Sequence, residues 1–179
     1  PFCREIYVER SDFMENAPKK FFRLSEGREV RLRYAYLITC WKAVKNEQGE
    51  VVELHCTYDL DSRGGAAPDG RKVKGTIHWV SARHGIRAEL RLYDRLFSVE
   101  SPDADKTKDF KEFINPDSCN VLKNSIVEPS LAVAALEDRF QFERQGYFCL
   151  DSKESQPDKP VFNRIVTLRD SWEKVRKQG

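Results

Sequence analysis

Short strands joined by polar turns dominate this chain, and they point to an all-β protein of barrel or sandwich type. Two local patterns and one scarcity carry that expectation. Residues 29–35 alternate, with Val30, Leu32 and Tyr34 on one face and Arg31, Arg33 and Ala35 on the other. A period of two is that of a strand with one face buried. Residues 38–45 and 51–58 are strand-like runs on either side of the polar, Gly-containing stretch 46–50, which is a hairpin signal. Helical stretches are few and short.

The other elements follow in order. Residues 2–8 read as a strand. Ser11 and Asp12 offer N-cap groups to a short helix over 13–17, which Pro18 stops. Residues 59–70 hold four Gly or Pro in twelve and form a loop. Strands are expected over 71–81 and 88–96, the latter with Ala88, Leu90 and Leu92 facing away from Glu89, Arg91 and Tyr93. A short surface helix fits 105–114, ended by Asn115-Pro116, then a strand over 119–127 and one or two helical turns over 129–136. Residues 140–150 form a hairpin with Gly146 near its turn; Phe140 and Phe142 face inward, which turns Gln141 outward. A polar loop, 151–159, leads to a last strand over 161–168. No internal repeat is visible.

The 179 residues suffice for one domain or two small ones. Lys and Arg number 31 against 29 Asp and Glu, so the net charge of +2 does not itself argue for nucleic acid. The distribution is more telling. Residues 19–45 carry eight basic and two acidic side chains, net +6; residues 71–95 carry seven and two, net +5; residues 46–70 between them are net −5. Five cysteines, no two closer than 16 residues, exclude a CxxC spacing and fit free thiols in a reducing cytosol. No apolar run approaches the ~20 residues of a membrane span. The chain starts at Pro1 and its only methionine is Met14, as expected of a piece of a longer protein. A monomeric, cytoplasmic protein with no membrane contact is the expectation.

Catalytic signatures are absent from the sequence. GRKVKG at 70–75 lacks the Lys-Ser/Thr ending of a phosphate loop, and neither GxSxG nor HExxH occurs. His55, His78 and His84 are scattered; His78, within an apolar run, reads as a satisfied core or interface residue. RNA reading is better served. On a continuous strand Arg31 and Arg33 would share a face about 7 Å apart, since each residue rises ~3.4 Å. Guanidinium forks bond base edges or phosphates at two points, and Phe21, Phe22, Tyr34, Tyr36 and Trp41 are near in sequence to stack splayed bases. The pattern equally fits a solvated strand face with core aromatics behind it. Gln141 and Arg144 carry groups that discriminate bases, although pattern alone favours a plain surface hairpin.

EGREVRLRYAYLI (26–38), DGRKVKGTIHWVS (69–81), ELRLYDRLFSV (89–99), FQFERQGYFCLD (140–151) and KPVFNRIVTLRDSW (159–172) resemble, in one register, the C-terminal region of bacterial-type glutaminyl-tRNA synthetases. The resemblance implies two β-barrels related to the 5S-rRNA-binding ribosomal type, a distal one inserted into a proximal one, with a few short helices and the anticodon loop bound across both. On that template 18–83 form the distal barrel, and 1–17 with 84–179 the proximal one, whose first strands lie upstream.

The resemblance also implies site residues. Arg23 would read the third anticodon base, a guanine. Arg31 and Arg33 would serve the first base and its phosphate, and Gln141 and Arg144 the central uracil. Beside the residues the resemblance implies, Lys20 and Tyr34 are further candidate RNA contacts. Two positions depart from the family: Tyr34 stands where Asn is frequent, and Phe22-Arg23 where a Lys-Arg pair is found. The catalytic half, with its HIGH- and KMSK-like motifs, is implied upstream, and HGIR at 84–87 is only a partial echo. The expectation is a tRNA(Gln)-reading module that holds no catalytic residue, metal or cofactor of its own; ATP and magnesium would be used by the parent ligase's other half. The barrels of an archaeal- or eukaryotic-type glutamyl enzyme, or a stand-alone rRNA-binding barrel, are the alternatives.

Overall fold

The computed structural model describes residues 1–67 and 69–168. Those residues are strands and loops with a few 3-10 turns, an all-β fold of barrel type in two compact units, Pro1–His84 and Gly85 onward. The expected final segments, 159–172 and 84–179, run past residue 168, and that remainder lies outside the described residues.

The first unit holds β1 (Ile6–Val8), β2 (Glu29–Leu32), β3 (Leu37–Lys45), β4 (Val51–Tyr58), β5 (Thr76–Ile77) and β6 (Trp79–Ser81). Its sheet runs β4-β3-β2-β5, with β2 and β5 parallel, while β1 pairs antiparallel with β6. Val30 and Leu32 face inward from β2, as alternation requires, and meet Leu24, Ile38, Cys40 and Ile77 in the core. The expected hairpin is present: Asn46 Oδ1 accepts from the backbone N–H groups of Gln48 and Glu50 at 3.1 and 2.8 Å. All five cysteines are free. Cys40 faces Cys56 across β3 and β4, and burial raises its pKa.

The second unit holds β7 (Ile86–Tyr93), β8 (Cys119–Val127), β9 (Arg139–Phe142), β10 (Gly146–Leu150) and β11 (Val161–Val166), in the order β8-β7-β11-β10-β9. Phe148 and Phe162 are wholly buried. Phe142 stacks on Phe148 with centroids 4.3 Å apart, and Phe140 meets Phe162 edge-on at 5.9 Å. The inward Phe140 and Phe142 therefore fix the outward face of β9. Among the described residues both sheet orders are open-ended, with β4 and β5 at the edges of one and β8 and β9 at those of the other.

Several expectations need correction. No helix forms over 13–17; a 3-10 turn at Arg10–Asp12 takes its place, because so short a segment does not sustain a helix and Asp12 is drawn into the interior. The strand expected over 71–81 shrinks to β5 and β6, since Arg71 is held by carboxylates of other segments. The helix expected over 105–114 is only a 3-10 turn at Phe110–Phe113. A bulge between Ala88 and Leu90 turns Glu89 inward, to 8% exposure, where it pairs with Arg91 at 2.9 Å.

The strand over 29–35 ends at Leu32. Ala35 is buried at 6%, whereas Tyr34, expected inward, is 83% exposed. The connection to β3, residues 33–36, inverts the faces: the Ala35 N–H bonds the Leu32 carbonyl at 3.0 Å, and Tyr34 takes φ 58°. The β9–β10 turn repeats this geometry, with Gln145 N–H on the Phe142 carbonyl at 3.0 Å and Arg144 at φ 63°. Left-handed backbone costs an L-residue roughly 1–2 kcal/mol, and Asn tolerates it better than Tyr. Tyr34 has little packing to lose, so Tyr34→Asn is expected to stabilise the chain by about 1 kcal/mol. A urea midpoint that rises with an unchanged slope checks this; a falling midpoint contradicts the strain.

Candidate nucleic-acid interface

Segment 18–24 of the first unit has no regular structure and is held by side chains. The Arg28 guanidinium donates to the carbonyls of Phe21, Pro18 and Ala17, the latter two at 3.3 and 3.5 Å. Arg23 donates to the Ser11 carbonyl at 2.9 Å and pairs with the Asp12 carboxylate at 3.4 Å. Asp12 is fully buried, while the Arg23 side chain keeps 35% of its surface in solvent. A buried carboxylate needs a cation, and this one fixes a guanidinium with solvent on its other side. The Leu24 N–H bonds the Asp12 carbonyl at 2.9 Å, and the Leu24 side chain anchors in the core.

These tethers shape an open hollow of about 330 Å³ that Lys19, Phe21, Phe22, Arg23, Arg28 and Lys74 help to line. Lys74 Nζ lies 5.2 Å from the centre of the Phe22 ring, and the Arg23 guanidinium 6.0 Å from that of Phe21. Gly75 makes the approach feasible, because a Cβ there would stand 2.5 Å from the Phe22 carbonyl oxygen. The carboxylate in the lining, Glu29, is taken by Arg71 at 2.8 and 2.9 Å. The hollow thus combines cations, aromatic faces and a neutralised acid, the chemistry that grips phosphate and base together.

Arg31 extends from β2 and its Nε donates to the Gly65 carbonyl. Gly65 has φ +88°, and a Cβ on it would meet Arg31 Cδ at 2.7 Å. Arg71 clips the loop that carries Gly65, bonding Asp59 at 2.6 Å, Asp69 at 2.9 Å and Glu29 on β2. Hydrogen bonds from Arg71 hold the Asp69 carboxyl below its ordinary pKa. Arg33 lies beyond the end of β2, with its guanidinium 5.1 Å from the Tyr34 ring centre and its carbonyl accepting from Trp79 Nε1 at 2.9 Å. Arg31 and Arg33 therefore do not share a strand face. Arg31 is instead joined to the hollow through Gly75, whose carbonyl accepts the Arg31 N–H at 2.8 Å. Lys20 is exposed in a turn beside Lys19.

In the second unit Gln141 is exposed on β9 opposite Tyr147, and Arg144 is exposed at its left-handed turn position. One hairpin presents both. Tyr34 and Arg144 are the two non-glycine residues with positive φ among those described, and both were singled out for RNA contact. Backbone strain of this kind concentrates at working sites.

Segment net charge overstates the free charge. Arg71 is consumed by three carboxylates, Lys45 by Glu15 at 2.7 Å, and Arg91 by Glu89, Asp151 and Glu154. Sequence reasoning missed Asp12, Lys74, Gly65 and Gly75. Lys74 followed by glycine before a strand was the one readable signal. Among the described residues no cluster of three His, Cys, Asp or Glu side chains could hold a metal, and no helix is long and apolar enough to cross a membrane. Ser81 Oγ lies 2.9 Å from His84 Nδ1, but Ser81 is 3% exposed and offers no hydroxyl to a substrate.

Comparison with known proteins agrees with this chemistry. Residues 76–151 match a family described as tRNA synthetases class I (E and Q), anti-codon binding domain, and residues 1–59 match a second family model of the same description. The glutamine–tRNA ligase of Nitrobacter hamburgensis is 57% identical over 99% of this chain and 31% of its own length. That of Pseudomonas putida is 56% identical over 96% of the chain and 30% of its own length. That of Proteus mirabilis is 55% identical over the whole chain and 32% of its own length. The chain spans about a third of the length of the curated relatives it matches. On these matches the chain belongs to the anticodon-binding domains of the class I tRNA synthetases (E and Q).

Proposed function

We propose that the chain reads the anticodon loop of tRNA(Gln) for an ATP-dependent glutamine–tRNA ligase. The hollow of the first unit, with Arg23 fixed on the buried Asp12 beside the rings of Phe21 and Phe22, is the observation that carries this reading. Splayed single-stranded bases are held by stacking and by hydrogen bonds to their edges, and such a hollow supplies both. The relatives' name, glutamine–tRNA ligase, supports the choice of tRNA.

In this proposal Arg23 takes the third base, Arg31 and Arg33 the first base and its phosphate, and Gln141 and Arg144 the central base. Lys20 and Tyr34 add contacts at the margin. Arg31 and Arg144 are held in shape by Gly65 and by the β9–β10 turn, so their geometry is set before RNA arrives. The chain supplies no catalysis; glutamine activation, with its ATP and magnesium, belongs to other parts of such a ligase. A distal barrel of 18–83 and a proximal barrel of 1–17 with 84–179 are part of the proposal. The pairing of β1 with β6 ties Ile6–Val8 to the first unit.

Salt dependence is the first test. Binding of an anticodon stem-loop is expected to weaken steeply, with log K falling against log salt by roughly 0.7 to 0.9 for each neutralised phosphate. A flat dependence would contradict a cationic interface.

Specificity is the second. Gln141→Ala should relax discrimination at the central base, and Arg23→Ala at the third, more than either lowers affinity for RNA in general. A good base contact is worth about 1–3 kcal/mol of discrimination. Binding of stem-loops with single anticodon substitutions to each variant measures this. Equal losses on cognate and substituted loops would make these side chains mere holders of the backbone.

A further inference from the structure

We infer that Phe22 and Lys74 form a composite stacking platform for a flipped RNA base. The inference rests on the anticodon-reading proposal and names which side chains grip the base that Arg23 addresses. Phe22 is 50% exposed, which leaves part of its ring open to solvent at the edge of the hollow. Lys74 Nζ sits 5.2 Å from its centroid. A cation over a ring face is attracted by the negative π cloud, and it also stands ready for the phosphate that follows a stacked base.

The arrangement is built. Gly75 lets the backbone of residues 74–76 approach the Phe22 carbonyl more closely than any side chain would permit. Its carbonyl, bonded to the Arg31 N–H at 2.8 Å, fixes that backbone to β2. Arg28 grips the carbonyl of Phe21, and Arg23 is held by Asp12 and Ser11. Phe22 therefore lies between two anchored neighbours, and Lys74 is brought to it by Gly75, 54 positions later in the chain than Phe21 and 47 later than Arg28. The ligand class is a single-stranded nucleobase with its flanking phosphate.

The test uses the whole chain and an anticodon stem-loop with 2-aminopurine at the third anticodon position. Binding to the unaltered chain should quench the fluorophore by stacking. Phe22→Leu, which keeps apolar bulk but removes the π face, should abolish the quench and weaken binding by roughly 5- to 150-fold, the range for one base–aromatic stack. Phe22→Tyr should restore both. Lys74→Gln should weaken all loops alike and make the log–log salt slope shallower by about 0.7 to 0.9. Quenching and affinity that survive in Phe22→Leu overturn the platform and leave the anticodon reading intact. An unaltered chain that binds cognate and scrambled loops equally overturns that reading itself.

Discussion

The candidate site depends on one buried charge. Asp12 has no exposed surface, and its carboxylate lies 3.4 Å from a guanidinium that is one-third exposed. Leaving a carboxylate buried without a cation costs several kcal/mol, so the pair cannot come apart cheaply. Arg23 is thereby denied the rotamer freedom of an ordinary surface arginine. The same stretch of backbone is bonded to Leu24, so the pairing also decides how segment 18–24 leaves the core and where Phe21 and Phe22 emerge. A base-reading side chain gains selectivity when its position is fixed before the ligand arrives, because less ordering entropy is then lost on binding.

The other proposed contacts are fixed by related means. Gly65 and the Arg71 clip restrain Arg31; a left-handed turn displays Arg144; the Phe140, Phe142, Phe148 and Phe162 cluster sets which way Gln141 points. Each is a rigid support, either a close backbone approach or a packed core, beneath an exposed polar group. This matches a module whose task is recognition, which needs presentation more than reactive chemistry.

Much of the scaffold was legible because period-two patterns survive in single sequences. Strands β3, β4 and β8, the 46–50 turn and the inward Phe140 and Phe142 follow from alternation and turn residues alone. Tyr34 misled because an aromatic at an even-numbered place extends the pattern past the real strand end, and only its φ betrays the turn. Glu89 misled because a bulge shifts the face by one residue. In the site, Arg23, Arg31, Arg33, Gln141 and Arg144 came forward through family wording, supported by the character of Arg and Gln. Asp12 reads as a helix cap in sequence, and its true partner is eleven residues away. Lys74 and Phe22 are 52 apart, and no local pattern joins them. Pairings across such separations are set by the fold, which is why the supports were harder to see than the side chains they support.

The account stands on Arg23 being held in place by Asp12, and a double-mutant cycle in third-base discrimination tests that most directly. Discrimination between cognate and third-base-substituted stem-loops would be measured for Asp12→Asn, Arg23→Ala and the double variant, with each variant's melting checked. If Asp12 acts through Arg23, Asp12→Asn alone should lower discrimination, and adding it to Arg23→Ala should change little further. Strictly additive losses, or full discrimination in Asp12→Asn, would contradict the claim.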